Sequence, residues 1–138
     1  MHRLLSLVLL TPLFVYAGCS QSPEIPIPPT SGDFVKSEDG VGTAKVFGID
    51  FQVAVSAGGA STEDEIHADF LEPEKSGASK RFTLGDEAVI QLDSINESEV
   101  EFVYNDQDYG TLKVGDQVVI DAEGNVTVNG TERMPAAE

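Results

Sequence analysis

Residues 99–128 carry the pattern that decides the fold, EVEFVYNDQDYGTLKVGDQVVIDAEGNVTV. Val100, Phe102 and Tyr104 occupy alternate positions at its start, which predicts a strand with one face against a core. Polar pairs rich in Asn, Asp and Gly then interrupt the apolar positions at intervals of roughly ten residues, a spacing typical of small all-β domains. The sequence therefore predicts a mainly β fold, an antiparallel meander that forms a small sandwich or a partly open barrel.

Three turns divide this stretch. They fall at Asn105–Asp108, Gly115-Asp116 and Glu123-Gly124, where small and polar residues favour chain reversal. Residues 99–129 are therefore expected to form consecutive antiparallel strands. Four aliphatic side chains of the last two strands are expected in the core: Val118, Ile120, Val126 and Val128.

Further strands are predicted upstream. Ala44–Val55 is rich in β-branched and aromatic side chains, which predicts one strand with Gly48 as a bulge. Arg81–Leu84 and Ala88–Leu92 flank a Gly85-Asp86 turn and predict two more.

Residues 62–71 fit two structures. The run Thr62-Glu63-Asp64-Glu65 resembles a helix capping box and favours one short helix. The alternation of Ile66, Ala68 and Phe70 fits a strand equally well. The sequence does not decide between helix and strand for this segment, and helix is the favoured interpretation.

One stretch of the chain resembles another. Phe82–Ile90 aligns with Leu112–Ile120 at an offset of 30 residues, with the Gly-Asp and the final Val-Ile in common. Repeat arrays need three or more copies to bury a continuous core, so two copies do not predict a solenoid. Reuse of one turn type and chance similarity both account for the pair.

The charge of the chain restricts its partners. Its 138 residues are enough for one domain, and 24 acidic against 8 basic residues give a formal net charge of −16. Such a chain repels nucleic acid, and it also repels anionic lipid headgroups. Attachment to a membrane would therefore need a covalent or spanning device.

The N-terminus offers such a device. Arg3 precedes the apolar stretch Leu4–Val15, which has the length of a signal peptide and is too short to span a bilayer comfortably. The small residues Ala17 and Gly18 then stand directly before Cys19, the only cysteine. With one cysteine, neither an internal disulfide nor a cysteine-rich zinc site is expected.

This arrangement resembles the lipobox of bacterial lipoproteins, although Tyr16 stands where that family prefers an aliphatic residue. In the family, the cysteine thiol receives a diacylglyceryl group and the signal peptide is cut before the cysteine. The resemblance implies a signal peptide over residues 1–18 and a lipid anchor on Cys19. It also implies a location on the extracytoplasmic side of a membrane of the bacterial cell envelope. The rival interpretation is an ordinary secretory signal, with Cys19 left as a free thiol.

The residues after Cys19 predict a spacer. Four prolines between residues 19 and 32 oppose helix and favour an extended polyproline-II conformation. At about 3.1 Å per residue, this tether would reach roughly 40 Å. A single acidic domain is expected over residues 33–132, followed by a short tail over residues 133–138.

No catalytic or cofactor motif is recognisable. The predicted mature chain has one histidine, His67, and no Gly-x-Ser-x-Gly elbow, so neither a Ser-His-Asp triad nor a zinc centre is indicated. No glycine-rich run followed by lysine is present to hold phosphate. We therefore expect no enzyme activity and no cofactor.

Acidic clusters remain as weak candidates for a metal site, because calcium prefers oxygen ligands. Asn105–Gly110 lacks the ligand spacing of an EF-hand, so solvated surface charge is the favoured interpretation. The candidate residues are Glu63, Asp64, Glu65, Asp69, Asp106 and Asp108.

Together these features predict an envelope lipoprotein held on a membrane through Cys19. Its non-catalytic β domain would serve protein–protein interaction or a structural role, with an unidentified envelope protein as partner and no nucleic acid. One alternative is a module that binds a divalent cation or a cationic ligand. The other is an enzyme with an unrecognised carboxylate site.

Overall fold

The computed structural model describes residues 18, 26–69, 71–72 and 75–137. These residues form eleven strands. The strands are β1 (Phe34–Glu38), β2 (Val41–Val46), β3 (Ile49–Ala54), β4 (Ala60–His67), β5 (Gly77–Leu84), β6 (Ala88–Ser94), β7 (Glu99–Tyr104), β8 (Gln107–Lys113), β9 (Gln117–Ile120), β10 (Val126–Val128) and β11 (Thr131–Arg133).

Two sheets pack face to face. One has six strands in the order β1-β2-β3-β9-β10-β11, and the other has five in the order β4-β5-β6-β7-β8. All neighbours are antiparallel except β3 and β9, which are parallel with Phe51 opposite Val118. The predicted mainly β fold is therefore confirmed, and of the two predicted forms the sandwich is the one adopted.

Four hairpins share a two-residue turn in which both central residues have positive φ, the type I′ geometry that matches the twist of paired strands. The pairs are Asp39-Gly40, Phe47-Gly48, Asn105-Asp106 and Asn129-Gly130. At Phe47-Gly48 this turn divides the expected strand Ala44–Val55 into β2 and β3, so the prediction of one strand with a bulge at Gly48 is wrong. Phe47 adopts φ 53° although it is aromatic. Its ring is fully buried, and that burial offsets the backbone strain.

The favoured helix over residues 62–71 is also wrong. Residues Ala60–His67 form β4, which pairs with β5 along its whole length from Ala60 opposite Leu84 to His67 opposite Gly77. A helix there would leave the outer backbone groups of β5 without this partner. Long-range pairing therefore overrides a weak local capping signal.

The chain changes sheets between β8 and β9. At this crossing the Gly115 N–H donates to the Gly48 carbonyl and the Asp50 N–H donates to the Asp116 carbonyl, both at 3.0 Å. The expectation of consecutive antiparallel strands is therefore confirmed for β7–β8 and β9–β10 and wrong for β8–β9. The four aliphatic residues expected in the core, Val118, Ile120, Val126 and Val128, are all buried.

One apolar core fills the space between the sheets. The Phe51 ring meets the Phe82 ring edge to face at 5.4 Å, and Phe102 packs on the other side of Phe51 at 5.9 Å. The two sheets approach closely at Gly42, where an added Cβ would lie 2.9 Å from the Leu84 side chain. Aromatic contacts between the layers thus fix how the two sheets stack.

The sandwich has two distinct ends, which we call the base and the tip. Residues 26–33 lead into β1 at the base, where Ile27 packs against the core and Pro28 is buried. Pro29 lies beside the β2–β3 turn, because a Cβ on Gly48 would meet its Cγ at 3.6 Å. The turns β1–β2, β5–β6, β7–β8 and β9–β10 lie at the opposite end, the tip.

On each flank of the sandwich, one basic side chain bonds across from one sheet to the other. On one flank Arg133 Nη1 donates to the Thr111 carbonyl at 2.8 Å and so joins β11 to β8. On the other, Lys80 Nζ on β5 bonds Asp33 Oδ2 at 2.7 Å, just before β1. These bonds hold the edges of the two sheets together, so the tip is the open part of the structure.

Candidate functional site

Four hairpin turns and the β3–β4 connection surround a cleft of about 570 Å³ at the tip, which we call the tip cleft. Each turn reverses a hairpin whose strands are anchored in the core, so the loops stand on a rigid support. Loops at one end of a β-sandwich are common sites of recognition for this reason. The volume lies in the range of pockets that hold small ligands or single side chains.

Aromatic rings form the floor of the tip cleft. Tyr109 points inward from β8, and its ring centroid lies 5.6 Å from Phe102 of the core and 6.1 Å from Tyr104. Tyr109 is only 7% exposed, whereas Tyr104 at the end of β7 is half-buried. The two tyrosines therefore connect the core to the solvent-filled cleft.

Carboxylates line the rim of the tip cleft. Asp86 and Glu87 belong to the β5–β6 turn, and Asp121 and Glu123 belong to the β9–β10 turn. All four side chains are exposed. Within the described residues, every ion pair with lysine or arginine involves other carboxylates. The rim is therefore a concentration of negative charge that pairs with no lysine or arginine of the described residues.

Asp121 also organises its own turn. Its carboxylate accepts hydrogen bonds from the Asn125 backbone and side-chain amides, both at 2.9 Å, and from the Glu123 N–H at 3.0 Å. These bonds, those from Asn125 first, hold the pKa of Asp121 below its usual range. Asp121 is thus a fixed anion at neutral pH rather than a proton donor.

The pKa of Tyr104 is shifted in the opposite sense. Burial raises the pKa of its phenol above the ordinary value of 10.0, and the neighbouring Tyr109, Glu87 and Asp121 raise it further. Tyr104 is therefore a neutral phenol at physiological pH. A neutral ring beside carboxylates presents an electron-rich face to a cation.

The acidic run predicted as a weak metal site lies along β4, outside the lining of the tip cleft. Every residue of β4 is exposed, and among the described strands only β5 pairs with it. Asp64 lies 3.7 Å from Lys80 Nζ, while Glu63 and Glu65 point to the other face of the strand. Alternation along the strand thus separates these three carboxylates.

The remaining acidic candidates serve local structure. Asp69 accepts the Leu71 and Glu72 N–H groups, and the bond from Glu72 is the largest cause of its lowered pKa. Asp108 accepts the Gly110 N–H at 2.7 Å, and Asp106 occupies a hairpin turn. Across the part of the chain that the structure describes, no group of three or more His, Cys, Asp or Glu residues is placed to hold a metal ion.

The other residues singled out by sequence occupy separate places. His67 is exposed at the end of β4. Cys19 and nearly all of the predicted signal peptide lie outside the described residues. No helix within the described ranges has the length and hydropathy needed to cross a bilayer.

Sequence reasoning missed the tip cleft. The sequence pattern identifies Tyr104 as a strand position and Glu123 as a turn residue, but nothing in their spacing indicates that turns of separate hairpins converge. Only the strand order of the two sheets brings them together. The tyrosines at both borders of an acidic turn were the one available signal.

Comparison of the chain with models of known protein families, with curated proteins and with solved structures found no match.

Proposed function

We propose that this protein is a lipoprotein of the bacterial cell envelope whose β-sandwich presents the tip cleft to a partner protein. The lipid anchor would be the acylated Cys19 of the lipobox-like sequence, which follows a short apolar leader. Two or three acyl chains anchor a protein stably because each buried methylene contributes about 0.8 kcal/mol.

The observation that carries this proposal is that the N-terminal segment and the tip cleft lie at opposite ends of the sandwich. Residues 26–33 join the domain at the base, whereas the tip cleft opens at the opposite end. Strands of six to eight residues separate the two ends, or about 20–25 Å at 3.3 Å per residue. An anchor attached through the N-terminal segment would therefore leave the tip cleft on the side away from the bilayer.

The spacer in this arrangement is short. Because Ile27 packs against the core, the distance from the bilayer is set by the residues between Cys19 and Ile27. An extended chain of that length reaches about 25 Å at 3.1 Å per residue. The tip cleft would then stand roughly 45–50 Å from the attachment point, within reach of a protein beside it in the same envelope.

The anchor is tested by the fate of Cys19. Mass spectrometry of the protein purified from bacterial membranes should find an acylated N-terminal cysteine. A Cys19→Ala variant should move to the soluble fraction, whereas Ser20→Ala should stay with membranes as a matched control. An unmodified thiol, or membrane retention of Cys19→Ala, would remove the anchor from the proposal.

The presenting end is tested by photo-crosslinking in cells. A photoreactive amino acid at Glu123 lies at the rim of the tip cleft, and one at Glu97 lies in the β6–β7 turn at the base. Both positions are exposed, so they differ in place rather than in access. We expect discrete protein adducts at position 123 and none at position 97. Equal adducts at both positions would reject the tip as the interacting end.

A further inference from the structure

The chemistry of the tip cleft is that of a receptor for an organic cation. Its rim carries the four carboxylates described above without a basic partner among the described residues, and its floor carries Tyr104 and Tyr109. Carboxylates attract a positive charge at a distance, and aromatic faces stabilise it on contact. The net charge of −16 adds a long-range field of the same sign.

The Tyr109 hydroxyl is an independent sign of a ligand. Tyr109 is 93% buried, and within the described residues its hydroxyl takes part in no hydrogen bond. The fully buried side-chain atoms without a partner are Asp33 Oδ1 and Ser37 Oγ, so the Tyr109 hydroxyl keeps contact with solvent. Tyr109 lines the tip cleft. Because no group of the described residues bonds its hydroxyl, the hydroxyl is available to a molecule bound there.

We propose that the tip cleft binds a guanidinium or ammonium group, with its charge facing the rim carboxylates and its alkyl stem on the tyrosine rings. A planar guanidinium combines stacking with several N–H donors, so it matches this lining better than a compact ammonium. The Tyr109 hydroxyl accepts one of those donors. The charges of Glu87 and Asp121 both act on Tyr104, so these two carboxylates lie near the aromatic floor.

A chelated metal ion fits this lining less well. Divalent cations need several converging oxygen ligands at short range, and no three of the described carboxylates are placed to hold a metal ion. Asp121 moreover uses its oxygens to hold Asn125 and Glu123. An organic cation needs only charge and an aromatic face, which the tip cleft supplies.

The cation has two sources, a basic side chain of a partner protein or a free amine. This inference deepens the proposed function by naming what the presented end recognises, and it does not depend on the lipid anchor. A failure to bind cations would leave the Cys19 experiments unaffected, and the reverse also holds.

Tyrosine fluorescence offers a direct measurement. The chain has no tryptophan, and its three tyrosines are Tyr16 in the leader and the two of the tip cleft. In the full chain carrying Tyr16→Phe, kept in neutral detergent, all tyrosine emission therefore reports the tip cleft. The probes are arginine amide, the peptide acetyl-Gly-Arg-Gly-amide and calcium chloride, compared at equal ionic strength. We expect saturable changes with both arginine probes and none with calcium.

Matched variants decide whether the tip cleft is the site. The double variant Asp86→Asn, Glu87→Gln should weaken binding about tenfold or more, because it removes two rim charges. The double variant Glu97→Gln, Glu101→Gln makes the same change of charge at exposed positions of the β6–β7 turn and of β7, outside the tip cleft, and should change affinity less than twofold. Tyr104→Leu should weaken binding more than Tyr104→Phe, because only the former removes the aromatic face.

Three results would overturn the proposal. Equal weakening by the two double variants would mean attraction by net charge alone. Calcium that competes with the arginine probes would identify a metal site, and a signal that never saturates would mean no site.

The two arginine probes distinguish the sources of the cation. Tighter binding of the peptide than of arginine amide assigns the source to a partner protein, and the reverse assigns it to a free amine; both support the cation site.

Discussion

Phe82–Ile90 and Leu112–Ile120 share a Gly-Asp turn and a closing Val-Ile, yet they build different connections. The first forms the β5–β6 hairpin within the five-stranded sheet. The second carries the chain from β8 in that sheet to β9 in the other. The comparison teaches that local turn chemistry reverses the chain, whereas the strand receiving the chain is chosen by partners elsewhere in the fold.

The surroundings of the two turns explain the difference. At the crossing, Asp116 Oδ2 accepts the Lys113 N–H and Asp116 Oδ1 accepts an N–H of the Asn129 side chain, both at 2.8 Å. The bond with Lys113 closes the turn itself, and the bond with Asn129 ties it to the β10–β11 hairpin of the six-stranded sheet. Asp86 of the first turn instead faces the tip cleft. One aspartate is therefore structural, and its counterpart is free for recognition.

The largest effect is expected where the two stretches are alike. Ile90 and Ile120 end them and are both essentially fully buried in the one core. Ile90→Ala and Ile120→Ala should each lower the free energy of unfolding by about 2–5 kcal/mol in urea titrations. Two unfolding transitions, or a loss at one position only, would break the idea of a shared core.

Replacing the glycine by alanine should cost more stability in the first turn than in the second. A Cβ at Gly85, where φ is 63°, would lie 2.8 Å from the Ala57 carbonyl oxygen, whereas a Cβ at Gly115 meets nothing within 4 Å. Gly85→Ala should cost about 2–4 kcal/mol, through conformation and a backbone clash. Gly115→Ala should cost about 1–2 kcal/mol, through conformation alone. Thermal melts of the two variants compare them, and equal costs would contradict this account.

The aspartates offer a sharper test. Asp116→Ala removes both hydrogen bonds at the crossing and should lower stability by about 1–3 kcal/mol. Asp86→Ala removes an exposed side chain with no hydrogen bond in the described residues and should leave the unfolding midpoint unchanged. A destabilised Asp86→Ala protein would show that the tip turn needs its carboxylate for folding.

The smallest expected effect is on the pH dependence of stability. It involves Glu87 of the first turn, whose counterpart in the second turn is the uncharged Gln117. Because burial and nearby anions raise the pKa of Tyr104, the folded state holds the phenolic proton more tightly than the unfolded state. Stability should therefore be insensitive to this group below pH 10.0, the ordinary value, and should fall as pH rises through the raised pKa.

Glu87→Gln removes one of these anions and should lower the pKa of Tyr104 in a tyrosinate absorbance titration of the Tyr16→Phe chain. The pKa should stay above its ordinary value, because burial is the larger cause. Glu123→Gln is the control, since Glu123 does not contribute to this shift. An unchanged curve for Glu87→Gln would remove Glu87 from the vicinity of the phenol.

Much of the fold could be predicted from the sequence, because apolar and polar residues alternate within residues 99–128 and the turns there use Asn, Asp and Gly. The errors share one cause, which is that long-range pairing is invisible in a local pattern. Phe47-Gly48 lacks the usual polar turn residue, so only the burial of the ring explains a reversal there. The helix signal at Thr62–Glu65 yields to pairing with β5. The tip cleft could not be predicted, because its tyrosines and carboxylates come from three separate hairpins.

The exposed strand β4 has a consequence for solubility. Among the described residues no strand pairs with its outer row of backbone N–H and C=O groups, so this edge is a template on which another copy could add a strand. Consecutive carboxylates at Glu63, Asp64 and Glu65 make two such edges repel each other. Substitutions that remove these charges should therefore favour edge-to-edge aggregation of molecules that are still folded. The acidic run that resembled a metal site is better explained as a guard against self-association.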